Sequence, residues 1–192
     1  MNIRTFARFT LGASLLAEGG MALRRFEARR RGFEAAAGRA AVLGRPLVVV
    51  GDPDAGAHTR MVRAYGCGDL CIDLDGCPRC HVMQAADLTA GPVPGVPDDS
   101  AVVFVSCVLE YVSDPAAAAL ELQRMAGSSE NLFIVFVEPW SLTAALYPGA
   151  RWAGGAEGDR LEMKPITTAR KVATIGGLLG LLAAATWRRR TG

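Results

Sequence analysis

The sequence predicts a doubly wound α/β fold: a mostly parallel sheet of about five strands, preceded by N-terminal helices and followed by an apolar C-terminal helix. Three observations carry that expectation. Short, continuous β-branched runs such as Leu47-Val48-Val49-Val50 and Ala101 to Ser106 (AVVFVS) have the character of strands buried on both faces. Helical stretches separate such runs, and strand–helix alternation implies a parallel sheet with right-handed crossovers. At the N-terminus the apolar residues recur at helical intervals, and the C-terminal segment is apolar all round, as a helix with no polar face.

Residues 1–40 read as a basic helical extension, with Phe6, Phe9, Leu16, Leu23, Phe26 and Phe33 at helical intervals and Gly19-Gly20 as the expected break. The α/β domain is expected over 41–158. Pro46 and Gly51 bound the first strand, and Ala55 to Tyr65 is expected as a helix closed by Gly66. Leu70 to Leu74, His81 to Gln84, Ala101 to Ser106 and Asn131 to Val137 supply the remaining strands. Asp114-Pro115 starts a helix that runs to about Met125, because Asp caps well and Pro is favoured at the first helical position. Gly149 to Gly158 is so rich in Gly and Ala that it predicts loop rather than a closing hairpin. The sheet would then stop at five strands with an exposed edge that self-association or a protein partner would cover.

Residues 159–192 read as a linker and a hydrophobic tail. Val172 to Trp187 (VATIGGLLGLLAAATW) is uncharged and lies between Arg170-Lys171 and Arg188-Arg189-Arg190. A helix of that length spans roughly 24 Å, short of a hydrocarbon core of about 30 Å, a deficit that snorkelling Arg and Lys side chains can reduce. Gly176, Gly180 and Ala184 recur on one face, the spacing that lets helices approach closely in lipid. The tail is read as a membrane anchor, with a buried or protein-docked helix as the alternative; basic flanks on both sides give no orientation. The net charge is only +2, but arginines crowd residues 1–39 while acidic residues cluster between Asp52 and Asp75, so both termini could meet phosphates or lipid headgroups. No aromatic-and-basic groove supports nucleic acid as a partner. Phe9 to Ala17 is interrupted by polar and small residues and lacks a cleavage motif, so it is not read as a signal peptide.

In doubly wound sheets, ligands bind beyond the carboxyl ends of the strands. The residues there are Gly51-Asp52-Pro53-Asp54-Ala55-Gly56, Asp73-Leu74-Asp75, Asp87-Leu88, Cys107-Val108-Leu109-Glu110-Tyr111 and Glu138-Pro139-Trp140. With Pro97-Asp98-Asp99-Ser100 before the fourth strand and Ala119-Leu120-Glu121-Leu122 before Arg124, this series resembles the class I S-adenosylmethionine-dependent methyltransferases (type 11-like) over residues 46 to 152. The resemblance implies a Rossmann-like fold and a cofactor site formed by Gly51, Asp52, Asp54, Gly56, Asp73, Asp87, Leu88 and Cys107. Asp73, with Asp75 as second choice, would receive the ribose hydroxyls and Asp87 the adenine amine. Val49 and Pro53 depart from the family's acidic and glycine positions in the first turn. Methyl transfer rests largely on positioning, and a base matters only for acceptors that must lose a proton; Glu110, Tyr111 and Glu138 are the candidates. The expected activity is methyl transfer to a small-molecule or lipid-linked acceptor at a membrane. The alternative is a degenerate methyltransferase fold serving as an interaction subunit of a larger assembly.

Cys67, Cys71, Cys77 and Cys80 follow a C-x3-C-x5-C-x2-C pattern with His81 next. This crowding does not resemble a secreted disulfide framework, so the domain is expected in a reducing, cytoplasmic compartment. The cysteines are read as buried or loop thiols, with structural zinc and a redox pair as alternatives; no metal ligand is assigned.

Overall fold

The computed structural model of the chain describes residues 2–55, 63–137, 149–157 and 160–186, with the backbone alone at 155–157, 160 and 161. Five parallel strands form the sheet: β1 (Leu47–Val50), β2 (Leu70–Asp73), β3 (Met83–Ala85), β4 (Val102–Ser106) and β5 (Leu132–Val135), in the order β3-β2-β1-β4-β5. The order reverses direction between β1 and β4, which places a ligand crevice above that pair. β1 and β4 are buried along their whole length, as continuous apolar runs at a sheet centre require.

Helix α1 (Ile3–Leu43) packs its C-terminal half on one face of the sheet. Phe33 meets Phe104 edge-on with ring centroids 5.8 Å apart, and Tyr65 meets Phe104 at 5.1 Å. A Cβ at Gly32 would stand 3.1 Å from the Phe104 ring, so this glycine lets the helix lie close to the sheet. Helix α2 (Pro115–Ala126) covers the other face with Ala118, Leu122, Met125 and Ala126. Asp114 caps it as expected, accepting the N–H groups of Ala116 and Ala117 at 2.9 and 3.1 Å.

Three expectations are corrected. First, α1 does not break at Gly19-Gly20; it is one helix of 41 residues, ended by Gly44 in the left-handed conformation. Second, the segment expected as loop contains strand β6 (Trp152–Glu157), which pairs antiparallel with β7 (Arg160–Pro165). This hairpin is a separate two-stranded sheet, so the main sheet does stop at five strands. Third, the four clustered cysteines are not plain thiols: Cys67 is disulfide-bonded to Cys80 and Cys71 to Cys77. Most of the helix expected over Ala55 to Tyr65 lies outside the described residues; Ala55 and Arg63 to Tyr65, which are described, are not helical.

Helix α3 (Thr168–Thr186) is long and apolar enough, by length and composition, to cross a membrane, and little of it is buried. It packs along the N-terminal half of α1, where the Arg8 Nε–H donates to the Ala185 carbonyl at 3.3 Å. Covered positions recur at three- and four-residue steps on both helices: Arg4, Ala7, Leu11, Ser14, Glu18, Met21 and Arg25 on α1, and Lys171, Thr174, Leu178, Leu181 and Ala185 on α3. That period is the seam of a two-helix coil. Phe9, Leu15, Leu16, Leu23, Val172, Leu179 and Leu182 face outward, and Gly176 and Gly180 have open space where a side chain would be.

Candidate functional site

A cavity of about 470 Å³ opens at the carboxyl ends of β1, β2 and β4. Its volume suits a small organic ligand. Gly51, Asp52, Asp73, Asp87, Leu88, Cys107 and Tyr111 all line it, so the strand-end positions singled out in the sequence converge on one space.

Each element sets its residue for a local reason. Gly51 has φ 102°, and a Cβ there would lie 2.8 Å from Val108 Cγ2 and 2.9 Å from the Ser106 carbonyl, so only glycine fits at the β1 end. Its N–H donates to the Ile72 carbonyl at 2.8 Å, which binds the turn to β2. Asp73 ends β2, and its Oδ2 accepts the Asp52 N–H at 2.9 Å. Burial raises the Asp73 pKa, against the opposing pull of N–H groups from Asp52, Asp75 and Leu74. Asp87 follows β3 and accepts both the N–H and the hydroxyl of Thr89, at 2.8 and 2.7 Å, which hold its carboxyl below the ordinary range. Leu88 is buried and forms an apolar wall. Cys107 is a buried free thiol with φ 54°; burial pushes its pKa up, so it is an uncharged wall rather than a nucleophile.

Two expected site residues stand apart from the cavity lining. Asp54 is held by Arg63 through both carboxylate oxygens, which lowers its pKa. Glu110 lies beneath the cavity at 1 % exposure, where its Oε1 accepts the Val137 N–H and its backbone carbonyl accepts those of Arg151 and Trp152. It fastens the β4 end to β5 and to the hairpin. Gly56 and Glu138, together with Trp140 and His58, lie outside the described residues.

Sequence reasoning missed the cations. Arg25 and Arg29, from the middle of α1, and Arg151, from the start of the hairpin, line the same cavity. Arg29 stands beside the Cys107 thiol and near Glu110. Tyr65 also lines the cavity, and its hydroxyl donates toward the carbonyls of Gly51 and Asp52 at 3.3 Å; burial lifts its pKa to about 12, so it stays protonated. A spacing of four places residues 25 and 29 on one helix face, but nothing local shows that this face crosses the strand ends. The cavity lining thus carries four carboxylates (Asp52, Asp73, Asp75, Asp87) and three guanidinium groups (Arg25, Arg29, Arg151). A second, smaller cavity shares Tyr111 and Arg151 and reaches Thr168 and Lys171 at the foot of α3. No protein-family model, curated protein or solved structure matches the chain.

Proposed function

We propose that the chain is a membrane-associated methyltransferase that uses S-adenosylmethionine on a small-molecule or lipid-linked acceptor. One observation carries the reading: Gly51, Asp73, Asp87 and Leu88, from three different strand ends, line a single cavity of small-ligand size at the reversal point of the sheet. The donor set fits the cofactor. Asp73 and Asp75 offer carboxylate oxygens to ribose hydroxyls, and Ile72, Leu88 and Val108 offer apolar walls to an adenine ring. The carboxylates of Asp52, Asp73, Asp75 and Asp87 favour a cation. Bound there, the cofactor would supply an electrophilic methyl group on a sulfonium.

The chain's own residues would then position the acceptor. Arg29 and Arg151 also line the cavity, and their guanidinium groups suit a carboxylate or phosphate on the acceptor. Tyr111 lies between the two cavities and orients what passes from one to the other. Because the smaller cavity abuts the foot of the apolar helix α3, an acceptor carried in a lipid layer would arrive from that side. The α1–α3 pair, apolar on its outward faces, would hold the site at the bilayer.

Calorimetric titration of S-adenosylhomocysteine into the full chain in detergent micelles tests this reading. Micromolar binding is expected for the unaltered chain, with at least a tenfold loss in Asp73→Ala. A folded chain that takes up no ligand would overturn it and leave the second reading, a degenerate fold kept for interactions. The exposed apolar helix pair is the feature that favours that alternative.

A further inference from the structure

We propose that Cys67, Cys71, Cys77 and Cys80, in the reduced chain, form a structural zinc site. The inference is independent of the cofactor reading. The four cysteines come from three pieces of backbone: Cys67 precedes β2, Cys71 lies within it, and Cys77 and Cys80 lie in the loop to β3. As disulfides they pair 67 with 80 and 71 with 77, but the pairs are not separate staples. The sulfurs of Cys71, Cys77 and Cys80 all lie within 4.8 Å of one another, and the Cys67 sulfur, outside that group of three, is bonded to that of Cys80 and so adjoins it. Thiolates at about 2.3 Å from a common zinc stand roughly 3.8 Å apart in a tetrahedron.

The topology of the cross-links points the same way. The loop closed by Cys71 and Cys77 lies wholly inside the one closed by Cys67 and Cys80. A second disulfide there constrains a chain that is already constrained, and short loops gain least. A tetrahedral ion, in contrast, needs all four sulfurs at once. Cys77-Pro78-Arg79-Cys80 forms a tight turn in which the Cys80 N–H donates to the Cys77 carbonyl at 2.9 Å. That C-x2-C turn presents two sulfurs together, as zinc ligands require. Cys71 and Cys77 are fully buried, Cys80 is 8 % exposed and Cys67 is half-buried, so three of the four ligands are shielded from solvent, which fits structural rather than catalytic zinc. Its ligands bracket the start of β2 and the loop after it. The ion would therefore set where Asp73, two residues beyond Cys71, meets the cavity.

The test uses the full chain, prepared in detergent with a phosphine reductant and no chelator, then exposed to zinc or cobalt(II). The expected result is one zinc ion per chain, together with intense visible cobalt bands and the sulfur-to-cobalt charge transfer of four-thiolate coordination. Alkylation should spare all four cysteines until a strong chelator is added. Cys77→Ser should lose the ion, while Cys107→Ser keeps it. The proposal is overturned if the reduced, folded chain retains no zinc above the Cys77→Ser level, or if cobalt gives the weak spectrum of oxygen and nitrogen ligands. Should Cys77→Ser fail to fold, the cobalt spectrum of the unaltered chain decides alone.

Discussion

Burial holds the Glu110 carboxyl above the ordinary carboxylate range, opposed by the Val137 N–H and by the charges of Arg29 and Arg25. The sign of the effect follows from linkage. A carboxyl whose folded pKa exceeds its unfolded value binds its proton more tightly when folded, so stability falls as pH rises from the ordinary value of 4.5 through the folded one. Glu110→Gln keeps an oxygen for the Val137 N–H and removes the charge. Urea denaturation should show a shallower loss of stability with rising pH in that variant, and stability at pH 8 no lower than that of the unaltered chain. The slope should not vanish, because Asp73 is shifted in the same direction. Glu110→Ala, which leaves the Val137 N–H unpaired over a void, should cost about 2–3 kcal/mol at acid pH, where Glu110 is protonated, and less as pH rises. A Glu110→Gln chain clearly less stable at pH 8 would show that the arginines hold the ionised form. At this scale the sequence exposed the strand-end residues, because each ends a recognisable run. It hid the burial of Glu110 and the arrival of Arg25 and Arg29, which depend on how α1 lies across the sheet.

Gly154 separates the hairpin from the loop that its composition suggests. It pairs with Met163 across the β6–β7 ladder, and a Cβ there would run into the Glu162 carbonyl and into Met163. Glycine in this strand marks close backbone approach, yet by composition alone it cannot be told from glycine in a loop. The strands of the main sheet were legible because β-branched runs declare themselves without a partner. β6 declares itself only through β7. The same asymmetry explains α1. Gly19-Gly20 has the local chemistry of a break, at a cost of about 1 kcal/mol per glycine relative to alanine, but packing against α3 carries the helix through. The hairpin is also tied to the domain, because the Trp152 indole N–H donates to the Val112 carbonyl at 2.9 Å. Gly154→Val should therefore open the β6–β7 ladder. Hydrogen exchange across residues 149–167 should accelerate at least tenfold, while β1 and β4 amides keep their protection. Unchanged exchange in the hairpin would mean that the strands can separate enough to admit a side chain, and that the glycine is not required.

The whole chain has two unlike halves joined through one helix. The C-terminal part of α1 belongs to the core of the α/β domain, and its N-terminal part belongs to the pair with α3. The 19 residues of α3 span about 28 Å, close to the thickness of a hydrocarbon core. The matching stretch of α1, between Arg8 and Arg24, contains one charged residue, Glu18. Glu18 lies on the seam toward α3 and meets Arg25 at 3.4 Å, so it is not presented outward. Arg4 and Arg8 lie at the far end, and Arg25, Arg170 and Lys171 at the near end. An apolar pair bounded by two basic belts suits a bilayer, whose headgroups take the arginines and whose interior takes the outward leucines. Both helices, not α3 alone, would then lie in lipid, with the cavity held at the near surface. The full chain should float with phospholipid vesicles at high salt, where purely electrostatic binding is screened. A charge introduced on an outward face near the helix middle costs about 3 kcal/mol in a bilayer, so Leu179→Glu and Leu16→Glu should each shift the chain toward the unbound fraction. Loss with Leu179→Glu alone would confine lipid contact to α3. No loss with either would mean that a protein partner, rather than a membrane, covers the pair.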